Sequence, residues 1–361
     1  MTRRPAIHGL AQRSATLNVK YTLSALIYLF VLLEQTKEER MAFLSEQQVA
    51  QFHRDGYLVV ENLFDPVADI DPIIEEYKVV LDKLAAELYA NGEISSTHAE
   101  LPFGQRLIEI YKESGKVHAQ YFDFSLPQAD VKVDTPYWAG PAVFRMLRNE
   151  KLLDAVESII GTEIYSNPVQ HVRLKPPEHL CPKNDKGQVQ LGKTPVHQDN
   201  GVVNPDADNT TILTVWFPLW DATVENGCLC VWPGSHRQGL LDHCPSDIGL
   251  KIPGKFLYGK ALSVPMQRGS ALFMDKLTVH ASHANNSENI RWSFDLRYNP
   301  IGQPTGRGAF PGFIARSRQN PALELHDPAA WDQLWADARD KLATEGMGKF
   351  NRWTSENPVC A

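Results

Sequence analysis

From residue 164 to residue 298 the chain keeps to one texture, in which short β-branched and aromatic runs are each closed by a cluster of Pro, Gly, Asn or Asp. Residues 211–219, 228–232, 271–274 and 292–297 are such runs, and no helical periodicity separates them. Strands at that spacing without crossover helices cannot build a parallel α/β sheet, so they predict an antiparallel sandwich or jelly roll. Helices flank this block. Ser45 reads as an N-cap completed three residues later by Gln48, with Gly56 as the stop, and residues 57–60 read as a short strand. Residues 72–89 carry Ile73, Ile74, Tyr77, Val80, Leu81, Leu84 and Leu88 on one stripe before Asn91-Gly92, and a further helix fits residues 151–160 before Gly161. Near the end, Asp327 as N-cap and Pro328 at the first helical position open a helix with Trp331, Leu334, Trp335, Ala338 and Leu342 on one face. The expected fold is mainly β with flanking helices.

Charge narrows the partners. The net charge is −7, so no general basic footprint for nucleic acid exists. It is unevenly placed: residues 1–40 hold six Lys/Arg against three acids, and residues 21–33 are an almost unbroken apolar run. Thirteen helical residues rise about 20 Å, short of the roughly 30 Å hydrocarbon core, so no stable membrane association is expected of the globular part. The segment reads either as a targeting segment or as a mis-assigned start ahead of Met41. The expected organisation is therefore an N-terminal extension (1–40), a catalytic domain (41–310), and a C-terminal loop with a packing helix (311–361). The expected location is cytoplasmic, or organellar or membrane-associated if residues 1–40 are genuine. Five cysteines, an odd number without a C-x-x-C, fit a reducing compartment better than a disulfide scaffold.

The chemistry centres on His197-Gln198-Asp199. On a strand, residues i and i+2 point the same way, so an imidazole and a carboxylate would stand side by side. His280 lies at the end of another apparent strand, residues 272–280. Two histidines and one carboxylate form the facial triad of non-haem Fe(II) oxygenases, which leaves positions open for substrate and oxygen. Arg291 follows His280 by eleven residues, and its guanidinium fork suits bidentate capture of a carboxylate. A co-substrate that chelates iron at one end and offers a carboxylate at the other would bridge the two, and 2-oxoglutarate has that shape.

Over residues 44–300 the chain resembles the phytanoyl-CoA dioxygenase family of Fe(II)/2-oxoglutarate oxygenases. The resemblance rests on Leu44-Ser45-Glu46-Gln47, Asp55-Gly56-Tyr57-Leu58, Lys175-Pro176-Pro177, His197-Gln198-Asp199, Asn226-Gly227-Cys228-Leu229, Pro233-Gly234-Ser235-His236, and His280-Ala281-Ser282 with Arg291. It implies a double-stranded β-helix (jelly roll, cupin-like) core. It also implies iron bound by His197, Asp199 and His280, and 2-oxoglutarate held by Arg291 with help from Ser293, Trp216 and Lys175. Molecular oxygen (O2) would be consumed, a small-molecule or lipid-like substrate hydroxylated at a C–H bond, and succinate and carbon dioxide released. Asp199 argues against halogenation, for which family relatives lack this carboxylate. The alternative is a cupin-like non-redox metal enzyme or binding protein on the same scaffold, since such a triad binds several divalent ions.

Other residues compete for roles. His283 rivals His280 but lacks the eleven-residue spacing to Arg291. His171 and Arg173 share a strand alternation that would line a pocket or form a structural pair. Arg297 reads as a second anion clamp or a surface ion pair, His236 as part of a turn, and Cys228 and Cys230 as core. Specificity is expected from the loops at residues 93–134, 182–192 and 301–321.

Overall fold

The computed structural model describes residues 43–361 except positions 248, 347, 349, 350 and 361. The extension at residues 1–40, with its apolar run, lies outside the described residues. Among the described residues no helix is long and apolar enough to cross a membrane. Phe43–Ala361 forms one compact unit.

Helix α1 (Glu46–Asp55) starts as the sequence predicts, with the Ser45 hydroxyl accepting from the Gln48 amide and the Gln48 side chain accepting from Ser45 N–H. Gly56, at φ 79°, ends it and turns the chain into β1 (Tyr57–Val60). The apolar stripe becomes α2 (Asp71–Ala90), and all seven stripe residues are buried. Two further helices, α3 (Phe103–Ser114) and α4 (Pro141–Leu147), occupy stretches with no sequence-level prediction of helix. Helix α3 begins after Pro102 with no side-chain cap, so the usual start signal is missing. Helix α5 (Glu150–Ile160) is capped by Asn149.

The strands follow as β2 (Glu163–Lys175), β3 (Leu213–Pro218), β4 (Leu229–Val231), β5 (Cys244–Ser246), β6 (Gly249–Lys251), β7 (Leu262–Val264), β8 (Ala271–Asp275), β9 (His280–Ser282), β10 (Arg291–Pro300) and β11 (Phe313–Ser317). Six form a large antiparallel sheet in the order β1-β8-β3-β10-β2-β11, three form a smaller one in the order β7-β4-β9, and β5 and β6 pair alone. Residues 272–280, read as one strand, are two: the chain turns after Asp275, whose carboxylate accepts from Leu277 N–H, and passes from the large sheet to the small one. The charged pair Asp275-Lys276, which interrupts the apolar residues at that point, marks the crossing.

Both faces of β3 are buried, and it reads as a near-continuous apolar run, whereas β10, also buried over most of its length, alternates apolar and polar residues. On β10, Trp292, Phe294, Leu296 and Tyr298 join the core formed with the helices. There Trp292 stacks on Phe103 at 4.7 Å and meets Tyr77 edge-on at 5.3 Å, and truncating such a side chain costs about 3–5 kcal/mol. Between the sheets, Trp216, Leu272 and Met274 pack with Leu229, Val231 and Val264. This two-sheet arrangement is the expected jelly roll. Helix α6 (Pro328–Glu345), capped by Asp327, buries Trp331 and Trp335 completely.

The cysteine reading needs correction. Cys244 and Cys360 form a disulfide across 116 positions, with Cα atoms 5.4 Å apart. The odd count concealed it because the other three, Cys181, Cys228 and Cys230, are free and buried in the core. The bond fastens the C-terminal tail to β5, the first strand of the β5–β6 hairpin.

Candidate metal centre

His197 does not sit in a regular strand. It is bridged to His280 by two backbone hydrogen bonds, of 2.9 and 3.0 Å, which fix the first ligand pair at the edge of the small sheet. Gln198 is extended, and Asp199 opens a short 3-10 turn, Asp199–Val202. The intervening Gln198 is tightly clamped. Its side chain donates to the Gly239 and Leu277 carbonyls and accepts from Leu241 N–H, while its own N–H donates to His243 Nε2 at 2.9 Å. The orientation of the two flanking side chains is thus set from outside the site.

The donor atoms of His197, Asp199 and His280 lie within 4.8 Å of one another. His197 Nδ1 donates to the Pro195 carbonyl at 2.9 Å, and His280 Nδ1 to the Thr278 carbonyl at 3.0 Å. A neutral imidazole with its Nδ1 proton engaged leaves Nε2 as a free lone pair, the usual state of a metal ligand. Both Nε2 atoms stand 3.8 Å from Asp199 Oδ1, too far for a hydrogen bond. Burial pushes the His197 imidazole down to about 3, an effect that His280 reinforces and Asp199 opposes. His197 is therefore neutral and ligand-competent at neutral pH.

Burial alone would raise the Asp199 carboxyl, but Arg297, then His280, His197 and the Thr214 hydroxyl, hold it well below the usual carboxylate range. Arg297 Nη2 donates to Asp199 Oδ1 at 2.5 Å, its Nη1 donates to the Val169 carbonyl at 2.7 Å, and Thr214 Oγ1 donates to Asp199 Oδ2. Arg297 is therefore neither a second anion clamp nor a surface pair. It is a buried cation compensating the one carboxylate of the triad. The alternation of β10 was the available signal, since Arg291, Ser293, Asp295 and Arg297 share the face opposite Trp292 and Phe294. What the sequence could not supply was the partner, 98 positions away.

A cavity of about 350 Å³ opens on this cluster, lined by His197, His280, Arg291, Trp216, His171 and Arg173 among others. Arg291 is 2% exposed, its Nη1 donates to Ser293 Oγ at 3.1 Å, and its Nε has no partner. The guanidinium carbon lies 5.5 Å over the Trp216 ring. Burial brings Arg291 down to about 10, aided by Arg173, so it stays charged at neutral pH. Lys175 is cross-strand neighbour to Arg291 but lines the adjoining cavity, where its ammonium donates to Thr194 Oγ1 at 2.6 Å and Ser282 Oγ at 2.9 Å. The structure thus brings His197, Asp199, His280, Arg291 and Trp216 to one place, with Ser293 behind Arg291 and Lys175 to one side.

His283 is not at the cluster; its Nε2 pairs with Ser263 Oγ. His236 Nε2 donates to the His53 carbonyl, which ties a turn to α1. The loop expectations are only partly met. Residues 93–134 contain α3 and bring Gln128 to the cavity, residues 182–192 line the adjoining one, and residues 301–321 supply β11. Gly249 and Leu250 of the β5–β6 hairpin and Asn351 of the tail also line the cavity that opens on the cluster. Trp353 of the same tail donates to the Gly201 carbonyl at 2.7 Å and stacks on His243.

A sequence model described as phytanoyl-CoA dioxygenase (PhyH) matches residues 52–293. Among curated proteins, the chain is 27% identical over 273 residues to "Phytanoyl-CoA dioxygenase domain-containing protein 1 homolog" of Dictyostelium discoideum, covering 71% of this chain and 91% of that protein. It is 24% identical over 280 residues to "Phytanoyl-CoA dioxygenase domain-containing protein 1" of Mus musculus, covering 71% and 90% respectively. Among solved structures, "non-heme monooxygenase; ThoJ apo" superposes with a TM-score of 0.51 at 18% identity, over 82% of this chain and 98% of that one, a likeness of fold.

Proposed function

The chain belongs to the phytanoyl-CoA dioxygenase family, and from that premise we propose that it is an Fe(II)- and 2-oxoglutarate-dependent dioxygenase that hydroxylates a C–H bond of a small-molecule or lipid-like substrate. The observation that carries the reading is the pairing of two features in one cavity. One is the set of three convergent donors with both histidine Nδ1 protons tied back; the other is a buried guanidinium that, among the described residues, has an unpartnered Nε and no carboxylate hydrogen-bonded to it. A mere metal-binding module has no need of the second.

His197, His280 and Asp199 would hold the metal through two Nε2 atoms and one carboxylate, a donor set that suits Fe(II) and leaves positions open. When bound, the metal and 2-oxoglutarate together supply the oxidation, in which O2 delivers one oxygen atom to the substrate and one to succinate, with loss of carbon dioxide. Arg291 receives the distal carboxylate of 2-oxoglutarate and is held in place by Ser293 and the Trp216 face. Lys175, whose ammonium is held well below its ordinary value by burial, flanks the site from the adjoining cavity, bonded to Thr194 and Ser282. Arg297 and Thr214 keep Asp199 ionised and aimed, so that no proton has to leave the carboxylate before it can ligate.

Anaerobic titration of Fe(II) and 2-oxoglutarate, followed in the visible spectrum, tests this. A weak metal-to-ligand charge-transfer band is expected only with both present. Arg291→Gln should weaken 2-oxoglutarate binding about 10- to 100-fold while leaving metal binding intact, the loss of a charge-assisted pair. Asp199→Ala should abolish 2-oxoglutarate turnover. No band from folded, metal-loaded protein would overturn the proposal in favour of a non-redox metal protein.

A further inference from the structure

The cavity face of β2 carries His171, Arg173 and Lys175 at alternate positions, and the sheet register sets them opposite Asp295, Ser293 and Arg291 on β10. Three basic side chains, Arg173, Lys175 and Arg291, therefore share one patch. Burial lowers the pKa of Arg291, Lys175 and His171, and the nearby Arg173 charge adds to the effect at each. Lys175 is buried against two hydroxyls, and Arg291 is assigned above to 2-oxoglutarate. Asp295, the nearest acid on the facing strand, is engaged with Arg297 at 3.4 Å. Arg173 is left over. Half-buried and lining both cavities, it has no ion pair or hydrogen bond among the described residues.

One dicarboxylate co-substrate supplies a single distal charge, which Arg291 absorbs. The second guanidinium remains uncompensated in a site of reduced dielectric, where an anion would be strongly favoured. Resting on the 2-oxoglutarate reading, we propose that Arg173 anchors an oxyanion of the primary substrate, a carboxylate or a phosphate monoester on a small, largely apolar body. The body follows from the rest of the wall, which includes Val169, Val202, Leu229, Leu250 and Met274. Its size follows from the volume: about 350 Å³ lies at the small end of ligand cavities, and the co-substrate takes part of it. His171 adds direction. Asp123 and Ser125 hold its Nδ1 at 2.8 and 3.0 Å, leaving Nε2 facing the cavity as an acceptor for a donor on the same molecule.

The test is calorimetric titration of hexanoate, hexyl phosphate and hexan-1-ol into the full chain, with and without Fe(II) and 2-oxoglutarate under anaerobic conditions. The expected result is that hexanoate or hexyl phosphate binds at least about 10-fold more tightly than hexan-1-ol, whichever leads identifying the oxyanion. Arg173→Gln should erase that preference, Arg173→Lys should recover part of it, and both should hold 2-oxoglutarate within about twofold of the wild type. The proposal is overturned if hexan-1-ol binds as well as the anions, if none of the three binds, or if Arg173→Gln keeps the preference. It is also overturned if Arg173→Gln weakens 2-oxoglutarate as much as Arg291→Gln does, since Arg173 would then serve the co-substrate. The charge-transfer band reports separately on the parent reading: an anion preference that depends on Arg173 without any band would retain the anion site and remove the co-substrate.

Discussion

Replacing Arg297 with methionine removes the one cation that touches Asp199 while nearly conserving side-chain volume. The pair is sealed, with side-chain exposures of 3% and 1%. At an effective dielectric of about 20, two unit charges about 4 Å apart attract by about 4 kcal/mol, and breaking a buried pair from one side costs about 3–5 kcal/mol. The Val169 carbonyl also loses its donor, which adds about 1 kcal/mol. Metal-free Arg297→Met should therefore be destabilised by about 5 kcal/mol in urea unfolding. The freed carboxyl would take up a proton at higher pH than before, because the cause that lowers it most is gone while burial still raises it. Mn(II) affinity in the variant should then fall with decreasing pH sooner and more steeply than in the wild type. The double variant Arg297→Met/Asp199→Leu should regain stability to within about 1 kcal/mol of wild type and bind no metal, since an apolar pair can replace a buried ionic one. A single-variant loss below about 1 kcal/mol, with an unchanged pH dependence of Mn(II) binding, would refute the assignment of Arg297 as the group that holds Asp199 ionised.

Two other perturbations follow from the same coordinates. Burial sets His197 at about 3 and His243 at about 4, both below the roughly 6.5 of an unfolded chain. As pH falls below 6.5 the unfolded state takes up protons that the folded state refuses, so metal-free protein should lose about 1.4 kcal/mol per pH unit for each of the two histidines down to pH 4; a flat urea midpoint from pH 7 to 5 would contradict this. The Cys244–Cys360 bond closes a loop of 116 positions, worth about 4–5 kcal/mol on the chain-entropy account. Cys360→Ser should lower the denaturation midpoint to that of the reduced wild type, and equal midpoints for oxidised and reduced wild type would show that the bond contributes nothing.

Local signals were legible and long-range ones were not. The Ser45 capping box, the stripe of α2 and the Asp327-Pro328 start are all written within a few residues, and each element formed where its signal stood. H-x-D and the eleven-residue step from His280 to Arg291 are short-range patterns and were legible, whereas the bridge that brings His197 to His280 joins positions 83 apart. Helix α3 was missed for want of a cap, and the 272–280 run was misread because Asp275-Lys276, the one mark of the turn between two sheets, is only two residues long. The Cys244–Cys360 pair and the Arg297–Asp199 pair join positions about a hundred apart, and sequence order alone cannot select such partners from the other candidates of the same type.

Arg297 reaches Asp199 because β2 is irregular. Between the pairs Asp295–His171 and Arg297–Asn167 the register shifts, so β2 spends four residues where β10 spends two. Pro168 lies in that excess and has no N–H to give to a ladder. The Asn167 side chain fills the gap, accepting from Val169 N–H at 2.9 Å and donating to Asn299 Oδ1 at 2.9 Å. The Val169 carbonyl, released from regular pairing, becomes the second acceptor for Arg297. In a regular ladder that carbonyl would be committed to a neighbouring strand, and the guanidinium would lose the anchor that aims its other nitrogen at Asp199. Bulges re-aim side chains beside active sites. Here the order of dependence runs from Pro168 and Asn167, through the Val169 carbonyl and Arg297, to the ionisation and orientation of the only carboxylate in the triad.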